Sequence, residues 1–363
     1  MRAPSVPTAT DQLIRYGGEF ADVIVERADG SWLTTEDGRR ILDFTSGQMC
    51  ATLGHGHPAV VEALRESSGR VVHLFSGFLS RDVLELAREL MAVLPEPLAR
   101  AMFLSTGGEA NEAALRLAKL CTGGHEVLGF AGSWHGLTAG AGSSTYSAGR
   151  RGYGPGMPGA MVLPAPTPYR CPIRHCRDRC DLACLDAGMA LADAQSAGAP
   201  AAVIAEPVLS VAGIVPLPDG YLAALKRRCE ERGMLLILDE AQTGLGRVGA
   251  LFAFERDGVV PDVLTLSKTL GGGLPLSATV TTAAIEEEAA EKGFLHFTSH
   301  VSDPLPAAVG RAVLRTVLAE GLAARAAELG ARLRAGLEEL ARRHEPVGDV
   351  RGRGLMQGVE LVT

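Results

Sequence analysis

Long hydrophobic runs are missing from this chain of 363 residues. No stretch reaches the roughly 18 apolar residues that a membrane-spanning helix needs. The N-terminal stretch MRAPSVPTATDQLIRYGG lacks the apolar core of a secretory signal peptide. Together these absences predict a soluble, cytoplasmic protein without a membrane partner.

The sequence also has no excess of positive charge. Its formal net charge is −7 and its pI is about 5.8, so it lacks the basic footprint that attracts nucleic acid or an anionic membrane. Aromatic residues make up only 5%, whereas 47% hydrophobic residues and 44 glycines are typical of a loop-rich α/β protein. We expect one large domain, a smaller one, and small-molecule partners rather than nucleic acid.

Seven cysteines, an odd number, argue against the paired disulfide framework of a secreted protein. Four of them crowd into the stretch YRCPIRHCRDRCDLAC, at Cys171, Cys176, Cys180 and Cys184. Their spacing matches none of the usual zinc motifs. A bound metal or a redox staple stays open as an interpretation, and a family-specific insertion with reduced thiols is favoured.

The pattern along the chain predicts three segments. Residues 1–45 are predicted to contain a β-hairpin with turns at Asp29-Gly30 and Asp37-Gly38, and should join the smaller domain. Residues 46–307 alternate apolar strands with helices, which predicts a large domain with a mainly parallel sheet covered on both faces. Residues 308–363 begin with a long helical stretch and end in DVRGRGLMQGVELVT, a turn leading into a strand. This part should belong to a smaller α+β domain.

Charged residues end three of the predicted strands. AAVIAE ends at Glu206, LLILD at Asp239 and VLTLSK at Lys268. Ligands of open α/β sheets bind outside the carboxyl ends of the strands, so we expect these side chains to share one crevice. The alternative is a buried Lys–Asp ion pair that only holds the structure together, because buried charges are normally paired.

An anion site is predicted at LSTGGEANEAALRLAKL. Thr106, Gly107 and Gly108 lie between a strand and an amphipathic helix, where backbone N–H groups attract negative charge. The same residues are consistent with an ordinary capping box from Thr106 to Glu109. In the nearby stretch FAGSWHG, Trp134 is a candidate to stack on a planar ring, or else a local core anchor.

A lysine amine, a carboxylate, an aromatic ring and a phosphate cradle are together what pyridoxal 5'-phosphate (PLP) requires of a protein. The stretches LLILDEAQTGLGR and LSKTLGGGLPL resemble the class III, ornithine-type aminotransferases of fold-type I. LDFTSGQMCATLGHGHP, HLFSGFLSR, SWHGLTAGA, TSHVSDPLPAAVG and GDVRGRGL extend the resemblance over nearly the whole chain from about Leu13. They are most similar to the branch of this family that decarboxylates 2,2-dialkylglycines.

The resemblance implies roles for the residues of the crevice. Lys268 would hold the cofactor as a Schiff base and, once displaced by the substrate amine, act as an acid and base. Asp239 would pair with the protonated pyridine nitrogen, and Trp134 would cover the ring. Gln242 would bind the phenolic oxygen, and Glu206 would lie near that site.

The phosphate would be bound by Thr106, Gly107 and Gly108 of one subunit. Ser299 stands where the resembled proteins have a threonine that reaches the phosphate from the other subunit, which implies a homodimer or a higher homo-oligomer with a shared active site. An alkali cation, potassium or sodium, is implied near the site through oxygen atoms of Leu74, Ser76, Ser299, Val301 and Asp303. Asp303 could otherwise be an ordinary helix N-cap.

Gln48 decides which reaction the resemblance implies. It matches a glutamine that, with the lysine, holds the substrate carboxylate perpendicular to the cofactor plane so that CO2 is lost. The implied reaction is a decarboxylating transamination, with 2-aminoisobutyrate as donor and a 2-oxo acid such as pyruvate as acceptor. The alternatives are an aminotransferase without decarboxylation, an aminomutase or epimerase, and a truncated paralogue without activity.

Two departures from the resembled branch bear on the substrate. Val211 replaces a serine beside the second substrate pocket. The chain stops at Thr363, before the arginine that binds the substrate carboxylate in the resembled proteins. Either the sequence is a fragment of a longer protein with a truncated C-terminal domain, or the substrate's carboxylate is bound by a residue from elsewhere. We assign that role to no arginine of this chain.

Overall fold

The structure is a computed structural model that describes residues 12–147, 150, 152–173, 176 and 180–363. Residues 1–11 of the predicted N-terminal segment lie outside this description. The first sheet is antiparallel and three-stranded, with β1 (Val25–Asp29), β2 (Trp32–Thr35) and β3 (Arg40–Leu42). Its turns contain Gly30 and Gly38, whose φ angles are 52° and 82°. The predicted hairpin is present, and a third strand extends it.

Three helical segments lead from this sheet to the large sheet: α1 (Ser46–Met49), α2 (Pro58–Ser68) and α3 (Arg81–Met91). Ser80 caps α3, because its hydroxyl accepts a hydrogen bond from the backbone N–H of Val83. The buried side chains of α3 are Val83, Leu86 and Leu90, at the helical spacing that places them on one face. This face joins α3 to the main apolar core.

The alternation of strands and helices that the sequence predicts continues through the middle of the chain. In chain order the elements are β4 (Leu98–Leu104), α4 (Gly107–Thr122), β5 (Glu126–Phe130), α5 (Ala139–Ser143), β6 (Ala160–Leu163), α6 (Ala183–Gln195), β7 (Pro200–Ala205), β8 (Val208–Leu209), β9 (Val215–Pro216), α7 (Tyr221–Glu230), β10 (Leu235–Asp239), β11 (Val263–Leu266), β12 (Ser277–Thr282) and α8 (Ala283–Glu291). The chain then continues with α9 (Pro304–Ala319), α10 (Leu322–Arg343), β13 (Val347–Arg353) and β14 (Met356–Leu361).

The central sheet has seven strands in the order β4-β12-β11-β10-β7-β5-β6. All neighbours pair in parallel except β12, which is antiparallel to both β11 and β4. Both faces are covered. Alternate residues of β7 enter different apolar clusters: Ala202 and Ile204 pack with α4, whereas Val203 and Ala205 join the core that contains α3, α6 and α7. This is the mainly parallel α/β fold that the sequence predicts.

The end of the described chain differs in detail from the sequence prediction. The long helical stretch is two helices, α9 and α10, because Gly321 adopts a left-handed φ of 59° between them. The last segment is an antiparallel hairpin of β13 and β14 rather than a turn followed by one strand. The predicted boundary at residue 308 falls inside α9, which contributes Ala307 and Leu314 to the main core.

The four clustered cysteines belong to this core. Cys171, Cys176 and Cys184 are buried and Cys180 is half-buried. Burial raises the pKa of Cys184 to about 12, and the neighbouring thiols of Cys180 and Cys171 add to the shift. Among the described residues no disulfide joins any cysteines, and no three of their thiols lie within 4.8 Å of one another. His175, which could join the four cysteines in a metal site, lies outside the described residues, so both interpretations of the cluster stay predictions.

Within the described ranges, no helix combines the length and apolar character that crossing a bilayer requires.

The buried face of α3 generates a stability prediction. Leu86 is fully buried, whereas Leu84 on the same helix is 52% exposed. Replacing Leu86 by alanine leaves a cavity in the main core, so Leu86→Ala should lower the free energy of unfolding by about 2–5 kcal/mol. Leu84→Ala should change it by less than about 0.5 kcal/mol. Denaturant titration of both variants tests this, and equal effects would contradict the packing described.

Candidate active site

A cavity of about 410 Å³ lies at the carboxyl edge of the central sheet. Because β4, β5, β10 and β11 run in one direction, the segments that follow them meet at this edge. The predicted site residues that line the cavity are Gln48, Thr106, Gly107, Gly108, Trp134, Asp239 and Lys268. The structure thus brings together residues that are far apart in the sequence, from Gln48 to Lys268.

Lys268 begins the short turn after β11 and has a left-handed φ of 49°. A residue other than glycine pays about 1–3 kcal/mol for such a conformation, which persists where the surrounding structure holds it, often at functional sites. In the described chain the ionisable side chain that contacts the Asp239 carboxylate is His135, whose Nδ1 atom lies 2.9 Å from Oδ2, and no contact within 4.0 Å joins Asp239 to Lys268. The alternative of a simple buried Lys–Asp pair is therefore not what the structure shows.

Asp239 is a buried carboxylate with three hydrogen-bond donors. Its Oδ2 atom accepts hydrogen bonds from Asn111 Nδ2 at 2.8 Å and from His135 Nδ1 at 2.9 Å. Its Oδ1 atom accepts one from the backbone N–H of Ala241 at 3.0 Å. Burial alone raises the pKa of Asp239, but the hydrogen bond and charge of His135, the Ala241 N–H and the charge of Lys268 outweigh it, so that the pKa is lowered. The carboxylate is therefore ionised at neutral pH.

Asn111 and His135 hold this carboxylate, and sequence reasoning assigned neither of them a role. The Asn111 amide is oriented by Thr265, whose hydroxyl donates a hydrogen bond to Asn111 Oδ1 at 2.7 Å. The Nδ2 atom of Asn111 also donates a hydrogen bond to the carbonyl of His135 at 2.8 Å. Asn111 lies on the buried face of α4 among alanines and leucines. An amide at an apolar position of a helix was the signal that could have identified it, because a buried polar group needs partners.

The N-terminus of α4 forms the predicted anion cradle. The capping box is present, since Thr106 accepts from the Glu109 N–H and Glu109 accepts from the Thr106 N–H. The next two residues, Gly107 and Gly108, still line the cavity. Gly136 has a φ of 126°, and a Cβ there would lie 2.8 Å from the Cα of Gly108, so only glycine allows the loop of Trp134 to approach the helix start so closely.

Glu206 and Gln242 do not line the cavity. Glu206 accepts hydrogen bonds from the backbone N–H of Trp134 at 2.9 Å and from the hydroxyl of Ser210 at 3.0 Å. The Gln242 amide donates to the same hydroxyl. Burial raises the pKa of Glu206. The two residues thus form a layer behind the cavity that fixes the loop of Trp134.

Gln48 lines the cavity on a strained loop, because the short segment α1 has left-handed rather than α-helical backbone angles at Gly47 and Gln48. Gly47, Gln48 and Met49 have consecutive left-handed φ angles of 55°, 58° and 67°. The guanidinium group of Arg247 holds this loop by donating to the Met49 carbonyl at 3.1 Å. The loop therefore places the Gln48 side chain at the same cavity as Lys268.

The residues predicted to bind a cation form a separate region. Ser299 is exposed and does not line the cavity of its own chain. Ser76 donates to the carbonyl of Thr298 at 3.0 Å, which joins the segment of Leu74 to the segment of Ser299 and Val301. The carboxylate of Asp303 contacts His73 and His300.

The cavity fits PLP. Three donors occupy the Asp239 carboxylate, which has about four acceptor positions, so one acceptor position remains for a protonated ring nitrogen. Two glycines at a helix N-terminus suit a phosphate, and an indole and an amine complete the wall.

Comparisons with known proteins agree with this geometry. A family model described as aminotransferase class-III matches residues 15–363. The chain belongs to the class III aminotransferase family. It is an enzyme of fold-type I, and a solved structural neighbour of it contains PLP.

Relatives in this family have different described activities. An uncharacterized aminotransferase of Schizosaccharomyces pombe is 51% identical over 356 residues, which cover 98% of this chain and 80% of the relative. The diaminobutyrate–2-oxoglutarate aminotransferase of Rhizobium meliloti is 38% identical over 348 residues, which cover 94% of this chain and 73% of that aminotransferase. A PLP-bound amine transaminase from an uncultivated Pseudomonas species superimposes with a TM-score of 0.90 at 31% identity, covering 97% of this chain and 84% of that structure. None of these three relatives is named a decarboxylase.

The network around Asp239 generates a prediction for this class III aminotransferase. In Thr265→Val the Asn111 amide loses the donor that orients it, so the carboxylate should lose part of its hydrogen bonding and the Kd for PLP should rise several-fold. Thr281→Val is the matched control. Thr281 lies on β12, the strand next to that of Thr265, and its hydroxyl also donates a hydrogen bond, to the Asp262 carbonyl. Titration of apoprotein with PLP measures both. Equal affinities would show that Thr265 does not support the site.

Proposed function

We propose that the protein is a PLP-dependent aminotransferase that moves an amino group from an amino acid to a 2-oxo acid without decarboxylation. The observation that carries this proposal is the convergence of Lys268, Asp239 and the N-terminus of α4 on one cavity. Diaminobutyrate–2-oxoglutarate aminotransferase, at 38% identity, supports the choice of amino acid and 2-oxo acid as substrates. A cytoplasmic location remains a prediction from the sequence.

Each residue of the cavity has a distinct task in this proposal. PLP, when bound, withdraws negative charge from the substrate carbon during proton transfer. The Lys268 amine would hold the cofactor and, when free, would take a proton from the substrate carbon and deliver it to the cofactor carbon. The ionised Asp239 would keep a proton on the ring nitrogen, since its pKa is lowered. Gly107 and Gly108 would hold the phosphate, and Trp134 would exclude water from one face of the ring.

A second candidate function is the decarboxylating transamination of 2,2-dialkylglycines. It is favoured by the position of Gln48, which lines the same cavity as Lys268 and could hold a carboxylate beside that amine. Val211, 47% exposed, stands in place of a serine of the decarboxylating branch and gives the second pocket no hydroxyl. Epimerase or aminomutase activity remains a further alternative in the same fold.

We also propose that the active enzyme is a homodimer. Five side chains, Phe75, Phe78, Leu79, Leu295 and Phe297, form an exposed apolar patch, here called the aromatic face, and each of them is more than 60% exposed. The rings of Phe75 and Phe297 are 6.0 Å apart, so the segment that follows α2 and the segment that precedes Ser299 contribute to one surface. Contiguous exposed apolar surface of this kind marks an interface. A second copy seated there would bring its Ser299 toward the phosphate of its partner.

An alkali cation, potassium or sodium, remains part of the proposal at Leu74, Ser76, Ser299, Val301 and Asp303. These residues lie on two adjacent segments joined by the hydrogen bond from Ser76 to the Thr298 carbonyl. Hydroxyl, carbonyl and carboxylate oxygens are the donors that a hard cation prefers.

The reaction is tested with purified protein, PLP and pairs of substrates. With 2,4-diaminobutyrate or another amino acid and 2-oxoglutarate, we expect glutamate to form without CO2. With 2-aminoisobutyrate and pyruvate, the proposed function predicts neither CO2 nor alanine, and formation of both would establish the second candidate instead.

Lys268→Ala should reduce turnover by at least about 10²-fold, because general acid–base catalysis contributes about that much or more. Lys292→Ala is the control, because Lys292 is an exposed lysine that directly follows α8, and this variant should retain turnover.

The homodimer is tested by light scattering coupled to size-exclusion chromatography. Phe75→Asp places a charge in the aromatic face and should shift the mass from dimer to monomer while weakening the binding of PLP. Leu191→Asp on α6, where Leu191 is 59% exposed, is the control that should leave the mass unchanged. A dimer that survives Phe75→Asp and Phe297→Asp would place the interface elsewhere.

A further inference from the structure

We infer that His73, His300 and Asp303 form a binding site for a divalent transition-metal ion. The three side chains, here called the histidine–aspartate cluster, lie outside the cavity that Lys268 lines. One potential ligand atom from each lies within 4.8 Å of the other two. In the part of the chain that the structure describes, no other group of three histidine, cysteine or acidic side chains meets this distance criterion.

The orientation of Asp303 is the first argument. Asp303 occupies the N-cap position of α9, where an aspartate side chain normally accepts a hydrogen bond from a backbone N–H of the first turn. No such bond is present. Instead Oδ1 is 2.6 Å from His73 Nδ1 and Oδ2 is 2.7 Å from His300 Nδ1. The carboxylate is directed to the two imidazoles at the expense of the helix cap.

The backbone around Asp303 is the second argument. Ser302, between His300 and Asp303, has a left-handed φ of 61°, and its N–H donates to the carbonyl of Phe103 at 2.9 Å. Such a conformation costs a residue other than glycine about 1–3 kcal/mol and persists only where the surrounding structure holds it, often at a functional site. It brings two residues only three positions apart, His300 and Asp303, to one point.

The third ligand comes from a distant part of the chain. His73 lies between α2 and α3, and its ring centroid is 5.1 Å from that of His300. The hydrogen bond from Ser76 to the Thr298 carbonyl fixes the same two segments to each other a few residues away. The cluster is therefore built on two segments whose relative position is already held, as a preorganised site requires.

The ligand types identify the class of ion. Two imidazole nitrogens and one carboxylate oxygen are the ligands of zinc and of other divalent ions of the first transition series, and three protein ligands leave coordination positions open. Alkali ions prefer sites made of oxygen alone. In the single chain the side chain of Asp303 is only 13% exposed, whereas those of His73 and His300 are 49% and 63% exposed.

The site has a consequence for the proposed enzyme. Asp303 also belongs to the proposed alkali-cation set, so a divalent ion and an alkali ion would exclude each other. A divalent ion would also join the segment of His73 to the segment that carries Ser299, at the edge of the aromatic face.

The test uses the full-length holoprotein after removal of metal with a chelator. Titration with Co²⁺ should show one tight site per chain, with weak visible bands of a nitrogen and oxygen environment and no intense sulfur-to-cobalt charge-transfer band. His73→Ala and His300→Ala should each weaken binding by at least about tenfold, since loss of even an outer-shell partner changes metal affinity by about 10–100-fold. His344→Ala, at an exposed histidine that follows α10, is the matched control and should bind as the unaltered protein does.

Three outcomes would overturn the inference: no binding of Co²⁺ to the unaltered protein, undiminished binding in both histidine variants, or a thiolate band that assigns the ion to the cysteines. Thermal unfolding without metal verifies that each variant is folded, and His73→Gln provides a milder replacement. The readout is metal binding rather than turnover, so failure of this site leaves the aminotransferase proposal untouched.

Discussion

A buried carboxylate that stays ionised is the constraint on which this active site depends. Burial opposes the charge of Asp239, and three hydrogen bonds together with the nearby charges of His135 and Lys268 overcome that opposition. The next residue shows what happens without such charges. Glu240 also accepts three hydrogen bonds, from Thr243 and from the N–H groups of Ala253 and Phe254, yet burial raises its pKa to about 7. The pKa values of these two adjacent carboxyl groups thus shift in opposite directions, because the charged groups around them differ.

The need to hold Asp239 explains much of the packing around it. His135 can reach Asp239 only if its loop approaches the start of α4, and Gly136 permits that approach beside Gly108. Glu206, Ser210 and Gln242 fix the other side of the same loop through the N–H of Trp134. The residues behind the cavity therefore contribute by positioning the residues that line it.

The large sheet, the order of strands and helices along the chain, and the convergence of Lys268, Asp239 and Thr106 on one cavity could be predicted from the sequence. Apolar runs that end in charged or glycine-rich segments indicate strand ends, and parallel strand ends meet at one edge. Asn111 was not predicted, because on a helix its amide is indistinguishable from any other buried polar group until its partners are known. The hairpin of β13 and β14 was predicted as a turn and one strand, since the glycines of VRGRG obscure the first strand. The decarboxylating reaction rested on Gln48, and the family relationship supports the aminotransferase class without supporting that reaction.

The sequence by itself determined the class of fold, the family and the chemical groups available for catalysis, because periodicity and local motifs are properties of short stretches of chain. Only the tertiary structure decided which of those groups share a cavity, that Asp239 pairs with His135, and that Asp303 faces two imidazoles instead of capping its helix. These facts depend on contacts between residues 3 to 230 positions apart. Such contacts arise from packing and from the competition among polar groups for partners, and no local pattern encodes the outcome of that competition.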